Sequence, residues 1–131
     1  MMTDHRKNKN RFGGIILQEY SAREERLVGP SFPIFRGTDL GYTEGPHLYK
    51  RQGYYYLIVA EGGTGLNHAV TLARSKSLFG PYEVCPSNPI LSSKSNPRNI
   101  LQKSGHTDLV ETEAGEVYMV HLYARPLHRP A

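Results

Sequence analysis

A chain of 131 residues, 38% hydrophobic and 21% charged, is long enough for one modest domain and too short for two. The absence of any run of roughly 18 apolar residues excludes a membrane-crossing helix, and a single cysteine, Cys85, excludes an internal disulfide. A net charge of +4 permits a nucleic-acid partner, but the basic residues concentrate only in the stretch from His5 to Arg11 and no nucleic-acid-binding motif accompanies them, so that stretch reads as a solvated loop.

The N-terminus, Thr3 to Arg11, is polar and basic with no apolar segment of signal-peptide length behind it, and no Asn-x-Ser/Thr acceptor occurs. A reducing cytoplasm is the compartment expected, although a chain lacking its own start would also lack a signal peptide. From there the pattern is β throughout. Gly14 to Tyr20 is apolar and β-branched, Arg26-Leu27-Val28 follows a polar turn, and Pro33-Ile34-Phe35 reads as another short strand. Ser21 to Glu25 has room for one helical turn and no more.

The clearest signal lies further on. Pro46 to Lys50 and Tyr54 to Ala60 flank a tight turn at Gln52-Gly53, the pattern of a hairpin. A glycine-rich loop, Glu61 to Gly65, leads to a third strand, Ala69 to Arg74, where Val70 and Leu72 alternate with Thr71 and Ala73 as in a strand with one buried face. Leu78 to Val84 supplies a turn and a fourth strand. Four antiparallel strands in this span are the size of a propeller blade. The unit then begins again: His47 to Lys50, Gly53 and Tyr56 to Val59 compare with Asp108 to Glu111, Gly115 and Tyr118 to His121. Between the copies, Pro86 to Gln102 is rich in Ser, Asn and Pro and reads as a long loop. The expected organisation is all-β, a partial five-bladed β-propeller of about two blades: residues 4–36 end one blade, 43–85 form a whole one, and 104–127 start the next. Met1 and Met2 stand before polar residues with no strand ahead, and the second copy stops after two strands, so both ends read as cut. Open sheet edges would then invite self-association.

Glu44 is the foremost candidate for chemistry. It stands in Tyr42-Thr43-Glu44-Gly45-Pro46-His47 at the start of a strand, and innermost propeller strands begin beside the central channel. A carboxyl in a partly dry channel is held protonated and can donate to a leaving oxygen. On position alone, a surface glutamate fits as well or better. His106, in Ser104 to Asp108, occupies the matching place in the second copy; it can hold a substrate hydroxyl, orient the acid or remain structural. His-x-Asp without a third ligand is too little for a metal site. Gly62-Gly63-Thr64-Gly65 lacks the Lys-Ser/Thr of a phosphate loop and reads as a connection, in which Thr64 offers a hydroxyl to a sugar. Tyr54-Tyr55-Tyr56 reads as a packed strand before a stacking platform.

Taken together, several of these strings resemble glycoside hydrolase family 43, the bacterial β-xylosidase and α-L-arabinofuranosidase type. Those strings are Asn10 to Tyr20, Thr43 to Lys50, Ala60 to Gly65, Gly105-His106 with Asp108 to Thr112, and Met119 to Leu122. The resemblance runs from about Asp4 to Leu127 and outweighs the structural readings above. It implies a five-bladed propeller that hydrolyses xylo- or arabino-oligosaccharides with inversion; no cofactor and no metal are expected. Glu44 would be the general acid, and Thr64 and His106 would line the sugar pocket. Inversion needs an acid and a base roughly 6.5–9.5 Å apart, with a water between base and sugar. The family's base aspartate and acid-tuning aspartate would both precede Asp4; Asp4, Asp39 and Asp108 match neither motif. The chain by itself would then be inactive, and a non-catalytic sugar-binding remnant is the competing reading.

Overall fold

The computed structural model describes residues 13–125. The basic stretch from His5 to Arg11, Asp4, and the end of the last segment at Leu127 lie outside the described residues. Among the described residues there are nine strands and no helix. β1 (Ile15–Ser21) and β2 (Arg26–Phe35) form a two-stranded hairpin. β3 (Glu44–Arg51), β4 (Tyr54–Glu61), β5 (Ala69–Ser75) and β6 (Glu83–Val84) run antiparallel in one sheet, and the short β7 (Leu91–Ser92) adds to β5. β8 (Gln102–Glu111) and β9 (Val117–Ala124) close a second hairpin.

Register shows why the middle sheet is the best buried. Leu48 opposes Leu57, and Val59 opposes Thr71. Leu57 and Val59 share one face, where they meet Ile15, Ile34 and Phe35 of the first hairpin. Ile58, Ala60 and Val70 occupy the other face and are also buried. On that second face, His47 and Tyr49 reach β8. Tyr49 donates its hydroxyl hydrogen to the Asp108 carboxylate, the Leu109 N–H bonds to the same hydroxyl at 3.0 Å, and His47 Nδ1 stands 3.4 Å from Asp108. The Tyr49 bond, then the Leu109 N–H and the nearby His47, hold the Asp108 carboxyl below the usual carboxylate range. Residues paired by the internal repeat, His47 and Asp108, therefore meet across the junction between neighbouring sheets.

Several expectations need correction. Arg26–Phe35 is one strand of ten residues, not two short ones. Ser21 ends β1, and Ala22 to Glu25 is a turn without helix. The fourth strand of the sheet is reduced to Glu83–Val84, and Leu91–Ser92 pairs with β5 inside the stretch read as loop. β5 has two buried faces: β8 packs against the strand, and on the face of Thr71 the Glu61 carboxylate takes up the hydroxyl, so Thr71 is fully buried along with Val70. The flanking hairpins are different. Tyr118, Val120, Leu122 and Tyr123 of β9 are exposed, as are Ile16, Tyr20 and Leu27.

Candidate active site

Glu44 opens β3 opposite Ala60, at the end of the sheet away from the Gln52-Gly53 turn. Between Glu44 and His47 the register slips, so three steps on β3 face two on β4. Gly45 provides the extra residue with φ +55, a left-handed conformation that glycine adopts without strain. Such a bulge twists the strand locally and re-aims the side chain beside it, here the half-buried carboxyl of Glu44. The absence of a side chain at Gly45 has a second consequence. A Cβ there would stand 2.9 Å from Nε2 of His106, so the imidazole of β8 lies directly over the backbone next to Glu44.

The residue before Glu44 is fixed from below. Glu61 ends β4 and is fully buried. Its Oε1 accepts the Thr38 N–H and the Thr43 hydroxyl, each at 2.7 Å. Its Oε2 accepts the hydroxyls of Thr38 at 2.8 Å and Thr71 at 2.6 Å. Four donors match the acceptor capacity of one carboxylate, so the group is buried without an orphan lone pair. Gly37 makes room for the cluster: a Cβ there would fall 1.8 Å from the Thr43 hydroxyl oxygen. Through Thr43, this knot anchors the backbone that presents Glu44. Glu61→Ala strands a buried backbone N–H and three hydroxyls, and at about 1–3 kcal/mol per unsatisfied group it should cost at least about 3 kcal/mol. Glu61→Gln keeps an oxygen for the Thr38 N–H, and its amide can donate to hydroxyls that rotate to accept, so about 1 kcal/mol is expected. Denaturant midpoints of the two variants check this; equal losses would contradict it.

His106 is exposed and has φ +50, and Lys103 on the same strand has φ +56. The register of β8 against β9 slips on both sides of Gly105. Behind this irregular stretch lies His68, only 4% exposed. Its Nδ1 is 3.2 Å from the Lys103 carbonyl, which can only accept, so Nδ1 carries the hydrogen. Its Nε2 is buried without a hydrogen-bond partner among the described residues. Burial pushes the His68 pKa below its ordinary value, the Lys103 bond opposes this, and His106 and Glu44 act on it with opposite signs. His68 thus lies within electrostatic reach of both Glu44 and His106.

Thr64 stands on the loop after β4, at the same end of the sheet as Glu44. It is exposed, and its hydroxyl has no partner among the described residues. The tyrosines sit elsewhere: Tyr54 is at the opposite end of the hairpin, with Arg74 over its ring at 4.8 Å. Among the described residues no three His, Cys, Asp or Glu side chains gather closely enough to share a metal ion. Two residues of the site escaped sequence reasoning. Glu61 read as a loop residue, and its signal is a glutamate closing a buried apolar strand with threonines on both sides in the chain. His68 gave no local signal, because its surroundings come from residues 103–105.

The model of the glycosyl hydrolases family 43 matches residues 1–131. The chain belongs to this family. It is 55% identical over 126 residues to xylosidase/arabinosidase 43B of Humicola insolens, covering 96% of this chain and 23% of that protein. With the β-xylosidase of Bacillus subtilis it shares 53% over 128 residues, 98% of this chain and 24% of that one. The crystal structure of a xylan β-1,4-xylosidase from Bacillus halodurans C-125 superimposes with a TM-score of 0.93 at 58% identity, over 98% of this chain and 25% of the other. The fold is accordingly all-β and corresponds to part of the five-bladed propeller of family 43. The chain spans about a quarter of the length of the relatives it matches.

Proposed function

We propose that the complete protein containing this chain is an inverting glycoside hydrolase acting on oligosaccharides from xylan and arabinoxylan, with Glu44 as its general acid. The observation that carries this reading is the bulge at Gly45, which holds a half-buried carboxyl at the strand start beneath His106. A carboxyl fixed there needs only to keep its proton until the glycosidic oxygen arrives. His106 and Thr64 supply hydrogen-bonding groups to the sugar from either side. The substrate class is supported by the relatives, one named xylan 1,3-β-xylosidase and another non-reducing end α-L-arabinofuranosidase. No cofactor enters the reaction.

The base is a matter for the rest of the protein. Asp39 is exposed in a turn, and Asp108 is engaged by Tyr49, Leu109 and His47. Asp4, Asp39 and Asp108 all lie outside the aspartate motifs of the family, which favours a second reading for the chain alone: a non-catalytic remnant. The test uses a complete enzyme, made by putting this chain in place of the matching segment of the Bacillus subtilis β-xylosidase. Proton NMR during xylobiose hydrolysis should show α-xylose as the first product from the β-linked unit. First release of β-xylose, or no release at all, would overturn the proposal.

A further inference from the structure

We propose that His68 is a positioning residue for the acid site: its ring, wedged beneath Gly105 and tied to the Lys103 carbonyl, sets where His106 stands over Gly45. The proposal rests on the reading of Glu44 as the acid and adds a group that touches neither substrate nor reacting atoms.

Two histidines and two glycines interlock at this junction. Gly45, beside Glu44, lies under the His106 ring, and Gly105, beside His106, lies over the His68 ring. A Cβ on Gly105 would stand 2.4 Å from Cδ2, 2.5 Å from Nε2 and 2.7 Å from Cγ of His68. Gly105 itself has no left-handed φ, so its backbone would accept alanine and the imidazole is what forbids one. The stretch it belongs to is costly to hold. Lys103 and His106 are non-glycine residues in the left-handed region, and such residues persist only where the surroundings determine them. Three supports are visible. His68 Nδ1 donates to the Lys103 carbonyl, the buried hydroxyls of Ser104 and Ser93 meet at 2.7 Å, and the Thr107 hydroxyl donates to the Val120 carbonyl at 2.7 Å. Of these only His68 touches both Lys103 and Gly105, the residues on either side of Ser104, and it directly precedes β5 of the sheet that carries Glu44. It therefore fixes β8 relative to β3 at the point where the acid stands. A buried Nε2 without a partner fits this role, since the ring is retained for its shape and for one hydrogen bond.

The experiment uses the complete enzyme described above and a double-mutant cycle. Gly105→Ala alone should lift the His106 stretch off the ring by about 1 Å and lower kcat on xylobiose about 100-fold. His68→Ala alone should lower it about tenfold or more. Together, the methyl added at position 105 enters the space left by the imidazole, and the double variant should regain at least about tenfold over Gly105→Ala. His68→Asn, which keeps a donor for Lys103, should lose less than His68→Ala. The losses should be larger on xylobiose than on nitrophenyl xyloside, because displacing the acid's neighbours impairs protonation of a poor leaving group most. A general weakening of the fold would depress both substrates alike. Multiplying losses in the double variant, or equal losses on the two substrates, overturns the proposal. If the parent enzyme hydrolyses xylobiose but Glu44→Gln leaves its rate unchanged, the acid assignment fails instead, which separates the two ideas.

Discussion

In the complete enzyme, Glu44→Gln should slow xylobiose hydrolysis by about 1,000-fold or more and nitrophenyl xyloside hydrolysis by no more than about 100-fold. The split follows from what a general acid supplies. Xylose leaving from xylobiose departs as an alkoxide unless its oxygen is protonated as the bond breaks, whereas nitrophenolate is stable as an anion and needs little help. Gln keeps the size and hydrogen-bonding reach of the side chain, so the bulge at Gly45, the Glu61 knot beneath Thr43 and the His106 contact should all survive the change. What disappears is the transferable proton. The basic limb of the kcat/KM profile should flatten along with it, since that limb reports loss of the acid's proton. Rates measured on a series of aryl xylosides give the same result as a slope: steep dependence on leaving-group acidity in the variant, shallow in the parent. Equal loss across the series would assign Glu44 to binding or folding.

The sequence made this residue visible for a physical reason that did not extend to its supports. Alternating apolar runs around Gly53 and Gly115 mark two hairpins, and repeat comparison puts Glu44 and His106 at equivalent starts. Such local patterns depend on neighbours in the chain. Glu61 and His68 depend on residues far from them. Glu61 is buried because Thr38, Thr43 and Thr71 converge on it from three separate segments, and an isolated reading of Glu61-Gly62-Gly63 gives only a polar loop. His68 is buried because Gly105, in another strand, has no side chain. The alternation in β5 misled in the same way. Thr71 looked like the solvent side of a strand, but its hydroxyl has the Glu61 carboxylate as partner, and a satisfied hydroxyl is admitted to a core where an unsatisfied one is not. Strand type was thus legible from composition and period, and the roles given to Glu44, Thr64 and His106 came from the resemblance to the family, while the interlock around them was written in pairings between distant residues.

Purified by itself, the 131-residue chain should release no measurable sugar from nitrophenyl xyloside or nitrophenyl arabinoside. Inversion requires a base that activates water, and Asp4, Asp39 and Asp108 match neither aspartate motif of the family. Losing one acid–base group costs roughly 100- to 10,000-fold. Geometry should cost more. Glu44, Thr64 and His106 stand at one end of a single sheet and its neighbouring hairpin; the hollow of about 800 Å³ bounded by Asn67, Ala69, Asn88 and Ile90 includes none of the three. Groups presented from one side alone do not hold a sugar against the acid, and misplacement by about 1 Å already costs about 100-fold. The flanking hairpins add a physical reason for failure. Tyr118, Val120, Leu122 and Tyr123 leave β9 apolar and exposed, and β1 and β2 expose Ile16, Tyr20 and Leu27, so unpaired edges and apolar faces should drive the isolated chain to associate. Light scattering during the assay should therefore show oligomers growing with concentration, and Val120→Lys with Leu122→Glu should suppress them without creating activity. Turnover close to that of the complete enzyme, abolished by Glu44→Gln, would mean that associated copies rebuild the site or that a base lies within this chain after all.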